Sequence, residues 1–87
     1  MRVEVLWFAW LRERTGRGRD SVETGAATVA GLVEELRALS EGHALALSDL
    51  RAVRVALDRR LVPLDALLDA PLGDAREVAF FPPMTGG

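Results

Sequence analysis

Eighty-seven residues with a net charge of −2 make one folding unit, because chains divide into domains only at two or three times this length. Hydrophobic residues at 49% and charged residues at 28% exclude a disordered chain, a coiled coil and a collagen-like fibre. With no cysteine there is no disulfide and no thiolate chemistry, and the acidic balance speaks against a nucleic-acid partner.

The first apolar segment, Arg2-Val-Glu-Val-Leu-Trp-Phe-Ala, alternates and then turns apolar on both sides, as a strand does when both faces are covered. Val3, Val5 and Trp7 share one face; Leu6 and Phe8 share the other. The run Val5 to Leu11 is far too short to cross a bilayer, and charges at Arg2 and Glu4 interrupt any leader pattern, so no membrane partner and a cytoplasmic location are expected. Glycines and charges over Arg12 to Asp20 predict an exposed loop, followed by a short strand around Ser21 to Thr24 that pairs with the first as a hairpin. Val29, Leu32, Val33, Leu36 and Leu39 are spaced for one face of a helix, with Thr28 to cap it and Gly42 to end it. This is the one helix the pattern predicts with force; Ala44 to Leu50 reads equally as a helical turn or a loop. Val53, Val55 and Leu57 alternate as a strand, Asp58-Arg59-Arg60 turns, Leu61-Val62 forms a brief strand before Pro63, and Glu77 to Phe81 is the last strand.

Strand, strand, helix, then three strands is the order of an α+β fold, a β-grasp in which a mixed sheet of four to five strands carries one helix on one face. The domain is expected over 1–81 with a flexible tail over 82–87. The helix also supplies the crossover that a parallel pairing of the first and last strands requires.

General acid–base groups are scarce. His43 is the only histidine, and its sequence neighbours give it no partner for catalysis, so an exposed or locally hydrogen-bonded ring is expected. No metal-ligand spacing exists, and Gly16 and Gly18 lack the third glycine of a dinucleotide loop. Glu34 and Glu35 fall on the polar side of the helix, where Glu34 reaches Arg37 as an i,i+3 pair.

The unusual feature is the close, Phe80-Phe81-Pro82-Pro83-Met84-Thr85-Gly86-Gly87. Two prolines hold the exit extended and remove backbone donors, and the residues after Phe81 reach roughly 20 Å when extended. Gly86 and Gly87 carry no side chain, so they can enter a channel too narrow for any Cβ and present a terminal carboxylate. With Val78 and Phe80 turned inward, Ala79 and Phe81 point outward; if the first and last strands are neighbours, Phe8 and Phe81 lie side by side on a face with no helix to cover it. Such a patch at the root of the tail is a docking surface, unless a segment such as Ala44 to Leu50 folds over it.

Val5-Leu6-Trp7-Phe8-Ala9 with Leu11-Arg12-Glu13, and Glu77-Val-Ala-Phe-Phe-Pro-Pro-Met-Thr-Gly-Gly at the close, resemble the small, sulfur-carrying subunit of molybdopterin synthase. The resemblance implies that Gly87, preceded by Gly86, is adenylated by a ubiquitin-activating-type adenylyltransferase that uses ATP, and is converted to a thiocarboxylate with sulfur from a donor protein. It further implies that the tail, through Pro82, Pro83, Met84 and Thr85, inserts into the large subunit, where the sulfur passes to cyclic pyranopterin monophosphate in molybdenum cofactor biosynthesis. The family's hydrophobic interface would fall on Phe8, Leu61 and Phe81, and its assembly would be a heterotetramer with the large subunit. No cofactor or metal is expected on this chain, whose role in the enzyme is to donate sulfur rather than to supply catalytic groups. The same kind of tail also suits a sulfur carrier for thiazole or another product, a ubiquitin-like modifier that joins Gly87 to lysines, or a plain interaction domain.

Overall fold

A computed structural model describes residues 1–83. In chain order it contains β1 (Arg2–Trp7), α1 (Ala9–Thr15), β2 (Arg19–Glu23), α2 (Val29–Arg37), α3 (Glu41–Ala46), a 3-10 turn at Leu50–Ala52, β3 (Arg54–Leu57), β4 (Arg60–Leu61), a second 3-10 turn at Leu64–Ala66, and β5 (Glu77–Phe81). The five strands form a single mixed sheet in the order β2-β1-β5-β3-β4. β1 and β5 run parallel, with Trp7 opposite Phe80, while the other pairings are antiparallel. This is the β-grasp arrangement, and its central parallel pair is the one the sequence led us to expect.

The alternation in β1 sorts its side chains as read: Val3, Val5 and Trp7 are buried, as are Val78 and Phe80 of β5 and Val55 of β3. Against them lies the apolar stripe of α2, Val29, Leu32, Val33 and Leu36. The Thr28 hydroxyl accepts the Gly31 N–H at 3.2 Å, which caps the helix as its sequence predicts.

The covered face carries three helices rather than one, because the charged stretch after Phe8 is not a loop but α1. Leu11 and Thr15, one turn apart, turn inward, and Gly16, at φ +77°, donates its N–H to the Arg12 carbonyl as the helix cap. Gly42 does not end α2, which stops at Arg37; it lies inside α3, where a Cβ would collide with the carbonyl oxygen of Arg14. That glycine permits α3 to approach the end of α1 closely. Leu39, read as part of the buried stripe, lies past the helix end and is half exposed.

The ambiguous stretch from Ala44 resolves into the end of α3, with Ala46 and Leu47 in the core. The Arg37 guanidinium donates from Nε and Nη2 to the Leu47 carbonyl at 3.1 and 2.7 Å, tying α3 to α2. The second strand starts earlier than read, at Arg19, and β4 is Arg60–Leu61 rather than Leu61-Val62. No helix among the described residues is long and apolar enough to cross a membrane.

Candidate docking face and tail root

All three helices pack on one side of the sheet, so the other side is built from strand residues of opposite parity. One register line crosses every strand: Leu61 of β4, Ala56 of β3, Ala79 of β5, Leu6 of β1 and Arg19 of β2. The next line places Phe81 beside Arg54. α3 packs against α1 and α2, away from this face, and so does not cover it.

Along β5 the face deepens into an open cleft of about 940 Å³. Leu6, Phe8, Ala79, Phe81, Pro82 and Pro83 line it, with Arg19, Arg59 and Glu77. Phe8 caps the start of α1 with extended backbone and donates its N–H to the Phe80 carbonyl at 3.1 Å, which fixes its ring beside the exit of β5. Phe8 is 47% exposed and Leu61 53% exposed, high values for apolar side chains, while Phe81 and Pro82 are half-buried. Phe8, Phe81, Pro82 and Pro83 thus share one cleft; Leu61 lies on the same face at the far end of the register line. Met84, Thr85, Gly86 and Gly87 lie outside the described residues.

Two polar atoms on this face, Glu4 Oε2 and Arg54 Nε, are shielded from solvent and have no hydrogen-bond partner among the described residues. Arg59, which the sequence placed only in a turn, reaches the cleft because Asp58 and Arg59 both adopt left-handed backbone, at φ +48° and +71°. Two successive polar residues between alternating strands were the available signal for such a turn. Glu77 was findable too, since it shares parity with Ala79 and Phe81.

His43 makes the local hydrogen bond expected of it and adds a long-range one. It is buried, with Nε2 at 2.8 Å from Asp20 Oδ2 and Nδ1 at 2.7 Å from the Ser40 hydroxyl. The Ser40 contact is the local one; Asp20 is a long-range partner that proximity in sequence could not reveal. Glu35, read as solvated, accepts the Thr24 hydroxyl and the Gly25 N–H, whereas Glu34 pairs with Arg37 at 2.7 Å as expected. Among the described residues no three metal-ligating side chains converge.

The model of the ThiS family matches residues 5–87. The chain belongs to the ThiS family. It is 41% identical over 85 residues to the molybdopterin synthase sulfur carrier subunit of Escherichia coli, covering 98% of this chain and 99% of that one. The subunit of the same name from Haemophilus influenzae is 38% identical over 85 residues, with the same coverage. Among solved structures, this ThiS-family chain resembles one in the complex of subunits 1 and 2 of molybdopterin-converting factor from Helicobacter pylori, at a TM-score of 0.66 and 25% identity over the whole of both chains.

Proposed function

We propose that this chain is the sulfur carrier subunit of a molybdopterin synthase, docking through its open sheet face and delivering sulfur as a thiocarboxylate on Gly87. The observation that carries the reading is the continuity of the apolar face with the tail root: Phe8, Phe81, Pro82 and Pro83 line one cleft from which the chain proceeds to Gly86 and Gly87. A partner that covers Phe8, Phe81 and Leu61 therefore also receives the tail. Burial of those side chains supplies affinity, and the tail supplies the reacting atom.

The chemistry suits a chain with few acid–base groups. The Gly87 carboxylate is a poor electrophile; attack of its oxygen on the α-phosphorus of ATP, in an adenylyltransferase, releases pyrophosphate and leaves AMP as a good leaving group. The outer sulfur of a donor-protein persulfide then attacks the carbonyl and displaces AMP. A thiol attacks the inner sulfur of the acyl disulfide so formed and leaves with it as a disulfide, releasing a thiocarboxylate that is ionised at neutral pH and nucleophilic without help from a base on this chain. The large subunit holds the pterin precursor, and the carrier and large subunit assemble as a heterotetramer. The sequence has no lysine, so an activated Gly87 meets no side-chain amine on its own chain.

Intact mass spectrometry after incubation with ATP, adenylyltransferase and sulfur donor tests the first step: one oxygen is replaced by sulfur at Gly87. Adding large subunit and cyclic pyranopterin monophosphate then yields the dithiolene product. Failure to acquire sulfur overturns the carrier reading; sulfur acquired but never passed to the pterin leaves a carrier for another product.

A further inference from the structure

Asp20 is the one buried carboxylate among the described residues, and the function proposed above does not use it. It points inward from the edge strand β2. Its Oδ2 accepts two hydrogen bonds, from Trp7 Nε1 and His43 Nε2, each at 2.8 Å, and its Oδ1 forms an ion pair with Arg17, 2.8 Å from Nε. This pattern places a proton on Nε2, while Nδ1 shares a hydrogen bond with the Ser40 hydroxyl, whose oxygen also takes the His43 backbone N–H at 3.1 Å. The cluster satisfies its polar groups around one shared carboxylate oxygen.

The indole it holds lies beneath the tail root. The Trp7 ring stacks on Phe80 with centroids 5.0 Å apart and planes 20° from parallel, and meets the His43 ring edge-on at 5.5 Å. Trp7 and Phe80 are also the last register pair of the parallel ladder, and the residues that follow them, Phe8 and Phe81, are the aromatic walls of the cleft. Apolar packing alone would bury Trp7 without a carboxylate; what the carboxylate adds is orientation, since stacked rings slide and rotate at little cost whereas a bonded N–H does not.

We propose that Asp20 is a positioning residue for the docking cleft: by fixing the indole of Trp7 against Phe80 it sets how Phe8 and Phe81 stand at the exit of the tail. The decisive atom is the oxygen shared by Trp7 and His43, not the negative charge. Asp20→Asn keeps an acceptor oxygen for Trp7 and His43 and gives up only the pair with Arg17, an exposed side chain that turns to solvent, so it retains the cleft; Asp20→Val leaves both donors unpaired. Trp7→Phe removes the donor while keeping a ring to stack on Phe80, and covers the case in which Asp20→Val fails to fold.

The test has two arms on the full-length chain. In the first, nuclear magnetic resonance of the free protein follows the backbone amides of Phe8, Phe80 and Phe81 and the exchange of the Trp7 indole N–H. The expected result is displaced signals at these three residues in Asp20→Val and Trp7→Phe, indole exchange at least about tenfold faster in Asp20→Val, and wild-type signals in Asp20→Asn. The second arm rests on the carrier reading: affinity for the molybdopterin synthase large subunit falls about tenfold in the first two variants and is restored in Asp20→Asn. Folded Trp7→Phe protein with unshifted Phe8 and Phe81 signals overturns the inference, as does an Asp20→Asn chain as perturbed as Asp20→Val. If the wild-type chain does not bind the large subunit, the carrier reading fails while the spectra still decide the role of Asp20.

Discussion

Trp7 and Phe8 are consecutive aromatic residues at the end of β1, yet Trp7 is 2% exposed with its N–H bonded, and Phe8 leaves 47% of its surface to solvent. Phe80 and Phe81 repeat the contrast on the neighbouring strand, one fully buried and one half-buried. The two-residue period of a strand thus divides the four aromatic rings: one of each pair holds the fold, and the other stands on the open face, where docking is proposed. On that proposal, stability and recognition are separable by a single step along the chain.

The sharpest way to break that division is to truncate the inward rings. Trp7→Ala or Phe80→Ala should cost about 3–5 kcal/mol, much of the roughly 5–10 kcal/mol that a domain of this size holds, and thermal unfolding should show little or no folded protein. Outward changes should do the reverse. Phe81→Asp should weaken large-subunit binding by about 2 kcal/mol or more, roughly thirtyfold, with little change in melting temperature. Phe8→Asp is more pointed: Phe8 occupies the N-cap of α1 without a side-chain cap, with extended backbone at φ −122° and ψ 151°, and aspartate is a favoured cap. Its melting temperature should hold or rise while titration calorimetry shows binding lost.

A third variant tests packing within the covered side. Gly42→Ala drives a methyl group into the Arg14 carbonyl and should destabilise by about 1–3 kcal/mol, a drop of roughly 4–8 °C for each kcal/mol, with the affinity of the remaining folded protein unchanged. The smallest effect belongs to Asp49, exposed at the start of the 3-10 turn. The hydrogen bond from the Arg51 side chain, helped by the Arg51 backbone N–H, holds its carboxyl below the usual range. Because the folded value is the lower one, its contribution is complete above the unfolded carboxylate pKa of about 4 and is lost as pH falls through the folded value. Asp49→Asn should flatten that slight acid-side slope in melting temperature and leave neutral pH nearly unaffected.

The outward and inward sets were legible because a strand writes its faces in alternate letters; Val3, Val5 and Trp7 needed no other information. α1 was not, since a short helix that buries little beyond Leu11 and Thr15 reads as a charged loop when glycines follow it. The overlooked cue was the four-residue spacing of those two, matched on the outside by Trp10 and Arg14, whose guanidinium lies 4.4 Å from the indole centroid. Gly42 misled because a glycine that admits a neighbouring backbone looks in sequence like one that ends a helix. Asp20 and His43 stand 23 positions apart, so only the closed fold brings them together. The cleft lay between: its aromatic residues followed from parity, but Arg19 and Arg59 entered it through strand register and turn handedness.

The rims of the sheet carry a further implication. β4 is two residues long and is followed closely by Pro63, while β2 sets an arginine and two acids among its five residues, one of them turned inward. Neither margin suits an incoming strand, which would need a long run of free amides and carbonyls free of obstructing charge or proline. Lateral growth into fibrils and strand addition by a foreign peptide are both discouraged. Association is steered to the broad side, where side-chain shape rather than backbone ladder selects the visitor.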